Sequence, residues 1–386
     1  MNIEYLNPLA ESFITVLKQH CSAKSLFQST WFLKDSYPED QTFDIAILGV
    51  NEDRFKPEYE GCALAPNKVR KEFYALIKPR NDLKIIDLGN IQAGNSINDT
   101  HFALKQVLNP LLAQKTVVLI IGGSQDLMAA QYAAYQGNCQ NMHVLLVDAK
   151  VDVHTHENNN EDNYLPRIIA HEPGYLFNIT QAGYQSYYVE PETYDAFERM
   201  NFDMMRLGSL RGNMQEIEPF CRNANMLGFS MQAIRAADAP AQLKPSPNGF
   251  GGEEACQLCR YAGMSNDVMS AGFYDLNPNA DINNITSALL AQMLWYFVEG
   301  FANRRNDYPV AESNDYITYR TNSKNLTHEV VFYKSKLSNR WWMEVPYPRE
   351  LSAQEGKFLV PCSYKDYQTA LNDELPDKWM KTFQKL

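Results

Sequence analysis

The sequence predicts an α/β protein in which helices cover both faces of a mostly parallel sheet. Short, almost continuously apolar segments recur along the chain, helical stretches separate them, and several of the segments end in Gly or Asp. Buried parallel strands are apolar on both faces and need a crossover helix between them, which this alternation supplies. We therefore expect a three-layer α-β-α architecture with a single main domain.

The predicted strands follow one another in a regular order. Each combines β-branched and other apolar residues over five to nine positions. A long apolar helix is predicted around Ile285 to Asn303. The strands are expected at 43–50, 83–89, 116–123, 143–148, 202–207, 226–230 and 268–276, and the helices between them include 102–112 and 127–136.

Three parts of the chain are distinguished by their patterns. Residues 1–40 are an N-terminal extension, 41–303 form the α/β domain, and 304–386 form a C-terminal appendage. In the appendage, the segments 330–333 and 341–345 predict a hairpin. We expect the Trp341-Trp342 pair to pack internally rather than against another molecule.

Charge and cysteine usage exclude several classes of protein. The 386 residues include 35 basic and 46 acidic side chains, a net charge of −11, and no Lys/Arg run that would neutralise nucleic-acid phosphates. Uninterrupted apolar runs such as Val117 to Ile121 are too short to cross a bilayer, and the N-terminus does not resemble a secretory signal. Seven scattered cysteines indicate reduced thiols and a cytoplasmic protein.

Cys256-x-x-Cys259 is one further cysteine pattern. A structural zinc site needs four ligands, and this sequence offers no second C-x-x-C. We expect core thiols, with a redox or zinc role as the alternative.

Polar residues stand where the predicted strands end. In open parallel sheets, ligands bind beyond the carboxyl ends of the strands. Four such segments follow predicted strands: Gly122 to Asp126, Asp148 to Asp152, Gly228 to Ile234, and Asp275 to Asp281.

The order and spacing of these segments resemble the ureohydrolase superfamily of arginase, agmatinase and formimidoylglutamase, most closely the formimidoylglutamase branch. That family carries G-G-[DS]-H, D-A-H-x-D, S-x-D-x-D, P-G-G-L and E-V-N-P-x-x-D. The segments 47–54, 87–91 and 247–254 fit its pattern as well, so the resemblance covers roughly residues 40 to 303.

The resemblance implies two bridged divalent ions, usually manganese, that activate a shared water. The six ligand positions of the family fall here on Gln125, Asp148, Lys150, Asp152, Gln232 and Ile234. Four of the six are therefore poor ligands or none, since only the two aspartates persist. We expect no metal cofactor, although Asp148 and Asp152 could hold one weakly bound ion.

Other residues could bind a substrate-like ligand. The resemblance implies that Asp275 helps to receive a guanidinium group and that Glu254, the counterpart of the Glu in the P-G-G-L-x-x-x-E segment, is a possible ligand-binding residue. The structural alternatives are a turn cap for Asp275 and a favourable helix N-terminus for Glu254. His154 and His156 could form a displaced metal pair, but a solvated polar loop is the preferred interpretation.

These residues predict a pseudoenzyme of ureohydrolase fold that acts as a binding or scaffold protein. The alternative is a formimidoylglutamase- or arginase-type hydrolase with an altered or single-metal site, and a third hypothesis is a sensor for a guanidino or amino-acid ligand. No nucleic acid or membrane partner is expected, and a homo-oligomer stays open. We also predict that the Lys150 ammonium replaces the metal charge between Asp148 and Asp152, because strand alternation would put all three on one face.

Overall fold

The computed structural model describes residues 3–38, 40–79, 82–151, 164–309, 314–321, 329–346 and 357–386. It contains one ten-stranded sheet and one four-stranded sheet. The strands of the larger sheet are β1 (Leu6–Asn7), β2 (Thr30–Phe32), β3 (Ile45–Asn51), β4 (Ile85–Gln92), β5 (Val117–Ile121), β6 (Met142–Val147), β7 (Leu176–Tyr184), β8 (Asp203–Arg206), β9 (Met226–Ser230) and β10 (Ser270–Tyr274). The smaller sheet consists of β11 (Tyr316–Thr321), β12 (Val330–Ser335), β13 (Trp341–Pro346) and β14 (Lys357–Cys362).

The larger sheet is almost entirely parallel. Its order is β1-β4-β3-β5-β10-β9-β6-β7-β8, and β2 pairs with β4 beside β1. Only β1 runs antiparallel to its neighbour among the described strand pairs of this sheet. The predicted α/β class with a mostly parallel sheet is confirmed.

Helices cover both faces of this sheet. The helices are α1 (Glu11–His20), α2 (Ala65–Ala75), α3 (Ile97–Ala113), α4 (Leu127–Ala133), α5 (Tyr164–Ile169), α6 (Pro191–Arg199), α7 (Leu207–Gly212), α8 (Glu218–Asn223), α9 (Gly252–Gly263), α10 (Ile285–Ala302), α11 (Tyr364–Leu371) and α12 (Asp377–Lys385). Along β3, Ile45 and Ile47 enter one apolar core, whereas Ala46, Leu48 and Val50 enter a second. Such alternation places a separate core on each face, so the domain has three layers.

The first core lies under α1, α2 and α7 to α10, and the second under α3 to α6. In the first, α9 and α10 approach closely because two glycines lie at their contact. A Cβ on Gly263 would collide with the Phe297 carbonyl, and one on Gly300 with the Arg260 carbonyl. The segment Ile282–Ala302 is long and apolar enough to cross a membrane by length and composition alone. Because Leu290, Leu294 and Val298 are fully buried within the fold, we interpret it as a core helix.

The N-terminal segment predicted as an extension supplies strands to the central sheet. β1 pairs with Asn90 and Ile91 of β4, and β2 pairs with residues 85–87 of the same strand. The described part of the first 40 residues therefore adds strands at one edge of the sheet.

The C-terminal appendage is a four-stranded antiparallel sheet with its own small core and with α11 and α12. The segments expected to form a hairpin are β12 and β13, which pair antiparallel. Trp341 and Trp342 are both buried. The Arg222 guanidinium joins this unit to the α/β domain: Nη1 donates to the Trp341 carbonyl at 2.9 Å, and the Trp342 ring lies 4.4 Å away.

Candidate functional site

Four neighbouring strands at the centre of the sheet deliver the predicted site residues. β5, β10, β9 and β6 lie side by side, and each is parallel to the next. Gln125 follows β5, Asp275 follows β10, Gln232 follows β9 and Asp148 follows β6. Because parallel strands end at the same edge, these side chains lie in one region.

A tight turn after β5 positions Gln125. Gly122 and Gly123 have φ angles of 91° and 76°, in the left-handed region that favours glycine. A Cβ on Gly123 would also collide with the Leu127 side chain and the Glu52 carbonyl. The turn directs the Gln125 backbone N–H to Asp275 Oδ1 at 3.0 Å.

Asp275, which follows β10, is hydrogen-bonded to residues at the ends of β5 and β9. Its other carboxylate oxygen accepts hydrogen bonds from Ser230 Oγ at 2.6 Å and from Gln232 Nε2 at 3.4 Å. The residue is fully buried and has a φ of 67°, which a short polar side chain tolerates better than most. The chain's own donors thus engage the carboxylate that the family resemblance assigns to a guanidinium ligand.

Ile234 belongs to the apolar core. It is fully buried among the residues of the first core, next to Phe250, with which it forms an isolated bridge. Its carbonyl accepts from Gln242 Nε2 at 2.6 Å. The side chain at this family ligand position therefore offers packing and no donor atom.

Asp148 is buried just beyond the end of β6. Its Oδ1 accepts from the Lys150 backbone N–H at 3.2 Å. Gln181 Nε2 donates to the carbonyls of Asp148 and Lys150 at 3.3 and 2.9 Å, which fixes the loop against β7. This loop keeps one carboxylate of the family's ligand set at the strand ends.

The predicted pairing of the Lys150 ammonium with Asp148 is wrong. β6 ends at Val147, so strand alternation does not continue to residue 150. The ammonium lies over the Tyr188 ring instead, 5.4 Å from its centroid, and forms no ion pair in the part of the chain that is described. Asp152, His154 and His156 fall outside the described residues.

The Glu254 side chain caps the N-terminus of α9. Its Oε2 accepts from the Gly251 backbone N–H at 2.7 Å, and Oε1 faces Arg211 Nε at 3.4 Å. A carboxylate that accepts an otherwise unpaired N–H stabilises a helix N-terminus. These contacts correspond to the structural alternative for this residue.

A buried polar chain beside Gln125 was missed from the sequence. Asp126 Oδ1 accepts from Ser124 Oγ, and Oδ2 accepts from His101 Nε2 at 2.7 Å. Burial raises the pKa of Tyr274 well above its usual value, and the charges of nearby Asp126 and Asp275 raise it further. The Ser124-x-Asp126 spacing was visible, but nothing in the sequence linked it to His101 in α3.

The described donors do not fit a dimanganese cage. Manganese prefers carboxylates, imidazoles and water, yet three of the family positions present Gln125, Gln232 and Ile234 and a fourth presents Lys150. Across the described residues, no three His, Cys, Asp or Glu side chains are grouped to hold a metal ion.

Known proteins share this sequence pattern and fold. The model of the family described as "Arginase family" matches residues 43–299. The formimidoylglutamase of Staphylococcus haemolyticus (strain JCSC1435) is 23% identical over 251 residues, covering 62% of this chain and 79% of that protein. A formimidoylglutamase of Staphylococcus aureus (strain MRSA252) is 21% identical over 252 residues, with the same two coverages of 62% and 79%.

Two solved structures show the shared fold. A Trypanosoma cruzi formiminoglutamase with Mn2+ superposes with a TM-score of 0.63 at 20% identity, over 70% of this chain and 97% of that one. The Bacillus subtilis formimidoylglutamase gives a TM-score of 0.62 at 18% identity, over 70% of this chain and 91% of that one. With the family match spanning most of the α/β domain, the chain belongs to the arginase family.

Proposed function

We propose that this arginase-family chain does not hydrolyse linear amidines through a dimanganese centre and instead acts as a binding or scaffold protein. The observation that carries the proposal is Ile234, a fully buried core side chain at a position where the family resemblance implies a metal ligand. A side chain without a donor atom cannot coordinate a metal, and it cannot turn outward without opening the core.

A small guanidino ligand at Asp275 is disfavoured by the contacts that this residue already makes. Asp275 is the residue that the resemblance assigns to the guanidinium group, but its carboxylate already accepts from Gln125, Ser230 and Gln232. A guanidinium ion would have to displace these contacts in a buried site, which is unfavourable.

Hydrolysis assays test this proposal. The full chain, incubated with excess Mn2+, is supplied with formiminoglutamate, arginine or agmatine, and formamide or urea is measured. We expect no product above background, because water that is not bound to a metal keeps a pKa far above the value of about 7 that a metal ion can impose. The Bacillus subtilis formimidoylglutamase, assayed in parallel, is the positive control.

The second candidate is a hydrolase of linear amidines with an altered or single-metal site. It is supported by the buried position of Asp148 at the strand ends and by the formimidoylglutamase relatives. Metal-dependent formamide release that is lost in Asp148→Ala would favour this candidate and overturn the first.

A further inference from the structure

A second cluster of polar side chains lies on the face of the sheet covered by α3, α4 and α5, and His101 connects it to Asp126 in the turn after β5. A depression of about 240 Å3 opens there. His101, Lys105, Arg167 and His171 supply its nitrogen atoms, and the small side chains Ala130 and Ala133 of α4 belong to its lining. No Asp or Glu is among the described residues that line it.

The basic side chains come from two segments. His101 and Lys105 are four residues apart on α3 and therefore share one helix face. Arg167 belongs to α5, and His171 follows two residues after that helix ends. The fold thus brings two pairs of nitrogen-bearing side chains, from segments that are distant in sequence, to one depression.

The two permanent cations have no carboxylate counter-ion among the described residues. Lys105 Nζ donates to the Gln136 side-chain oxygen at 2.9 Å, and Arg167 Nη2 donates to His101 Nδ1 at 3.2 Å. Both side chains are half-buried. Cations in such positions interact favourably with an incoming anion, because solvent screens them less than it screens exposed charges.

The contacts of His101 indicate which nitrogen of its ring carries the hydrogen. A guanidinium only donates, so His101 Nδ1 accepts from Arg167, and Nε2 carries the hydrogen that is donated to Asp126. Asp126 also accepts from Ser124. Asp126 is thus held by His101 and Ser124 beside the turn that carries Gln125. Burial lowers the pKa of His171, and the charge of the neighbouring Glu172 carboxylate offsets part of this shift, so a second carboxylate acts on the cluster.

We propose that this depression binds a phosphate group, either as free orthophosphate or as part of a small phosphorylated metabolite. Arg167 offers a planar fork of donors and Lys105, from a different helix, adds a point charge. Two permanent cations suit a tetrahedral dianion better than a monoanionic carboxylate. None of these four side chains stands at a position that the family resemblance assigns to a metal ligand, so the proposal does not depend on whether the chain hydrolyses amidines.

Isothermal titration of the full chain with inorganic phosphate, at constant ionic strength in chloride buffer, tests this site. We expect saturable binding to one site. Arg167→Gln and Lys105→Gln should each weaken it by at least about tenfold, the effect of losing one charge-assisted hydrogen bond. Lys68→Gln is the matched control, because Lys68 is an exposed lysine of α2 on the opposite face, and it should leave the affinity unchanged.

Several results would overturn the assignment. They are the absence of phosphate binding, equal weakening by Lys68→Gln, no weakening by either site variant, or acetate that binds as tightly as phosphate. The unfolding midpoint of each variant shows whether it is folded. If Arg167→Gln does not fold, the binding measured for Lys105→Gln decides the test. Glycerol phosphate that binds more tightly than orthophosphate would identify a phosphorylated metabolite as the ligand, and the reverse order would identify the free ion.

Discussion

Replacing Asp275 tests whether its carboxylate holds the strand ends together. Asp275→Ala removes the acceptor for the Gln125 backbone N–H, at 3.0 Å, and for Ser230 Oγ, at 2.6 Å. Both donors would be left in a buried region. If Asp275 were only a ligand-binding residue, this substitution would affect binding and leave stability almost unchanged.

The expected loss follows from two contributions. Hydrogen bonds to a charged group contribute about 1.5–3 kcal/mol each, offset in part because a buried carboxylate is itself costly. Alanine at a positive φ costs about 1–2 kcal/mol. We expect Asp275→Ala to lower the free energy of unfolding by about 4 kcal/mol in total.

A matched variant separates the two contributions. Asp373 has a φ of 63° but is exposed, so Asp373→Ala reports the backbone cost alone, about 1 kcal/mol. Both variants and the parent chain are unfolded in urea and followed by tryptophan fluorescence. The reasoning is refuted if a folded Asp275→Ala chain is no less stable than Asp373→Ala.

Three further predictions concern charge and thiols. Arg70→Met should lower the free energy of unfolding by about 3–5 kcal/mol, because it leaves the fully buried carboxylate of Asp87, 2.8 Å away, without its cation. Arg320→Met, which breaks an exposed pair with Glu329 at 2.9 Å, should lower it by under about 1 kcal/mol. Equal losses in urea unfolding would contradict this prediction. Lys150→Met should lower the free energy of unfolding by under about 1 kcal/mol, because among the described residues the contact that the ammonium loses is the one with the half-exposed Tyr188 ring. A loss of several kcal/mol would instead support the predicted pairing with Asp148 or Asp152. Burial raises the pKa of the Cys256 thiol to about 12, so its thiolate is scarce at pH 8 and becomes abundant only as the pH rises toward 12. We therefore expect slow alkylation of Cys256 in the native chain at pH 8, measured by mass spectrometry. Rapid alkylation of Cys256 at pH 8 would contradict this prediction.

Sequence patterns were sufficient for the strands that are apolar throughout. β3 and β5 lie within the predicted segments 43–50 and 116–123, apart from one residue at the end of β3. β7 was not predicted, because Asn178 and Gln181 interrupt its apolar pattern. Both polar side chains are buried and hydrogen-bonded, Asn178 to Asp203 at 2.9 Å. These partners lie on β8 and in the loop after β6, so they cannot be found from local periodicity.

The smaller sheet was predicted only in part. β12 and β13 carry enough apolar residues to indicate strands, but β11 has mostly half-buried or exposed side chains. β14 contains Pro361, which argues against a strand in the sequence and is tolerated here at a sheet edge. Edge strands carry weaker sequence signals because only part of their surface is buried.

Motif order located the candidate site better than it located the side-chain directions. In the structure, Gln125, Gln232 and Asp275 lie just beyond neighbouring strand ends, where the Gln125 backbone N–H and the Gln232 amide each donate to Asp275. The direction of Lys150 was wrong because it depended on how far β6 extends. The role of His101 required knowing that α3 packs beside the turn after β5, which sequence spacing does not show.

Metal stoichiometry tests the central claim most directly. The full chain is incubated with excess Mn2+, freed of unbound metal by buffer exchange, and analysed by elemental mass spectrometry, with the Bacillus subtilis formimidoylglutamase treated in the same way. Because Gln125, Gln232 and Ile234 stand where the family resemblance implies ligands, we predict well under one equivalent of manganese per chain. Close to two tightly bound ions per chain would contradict the account.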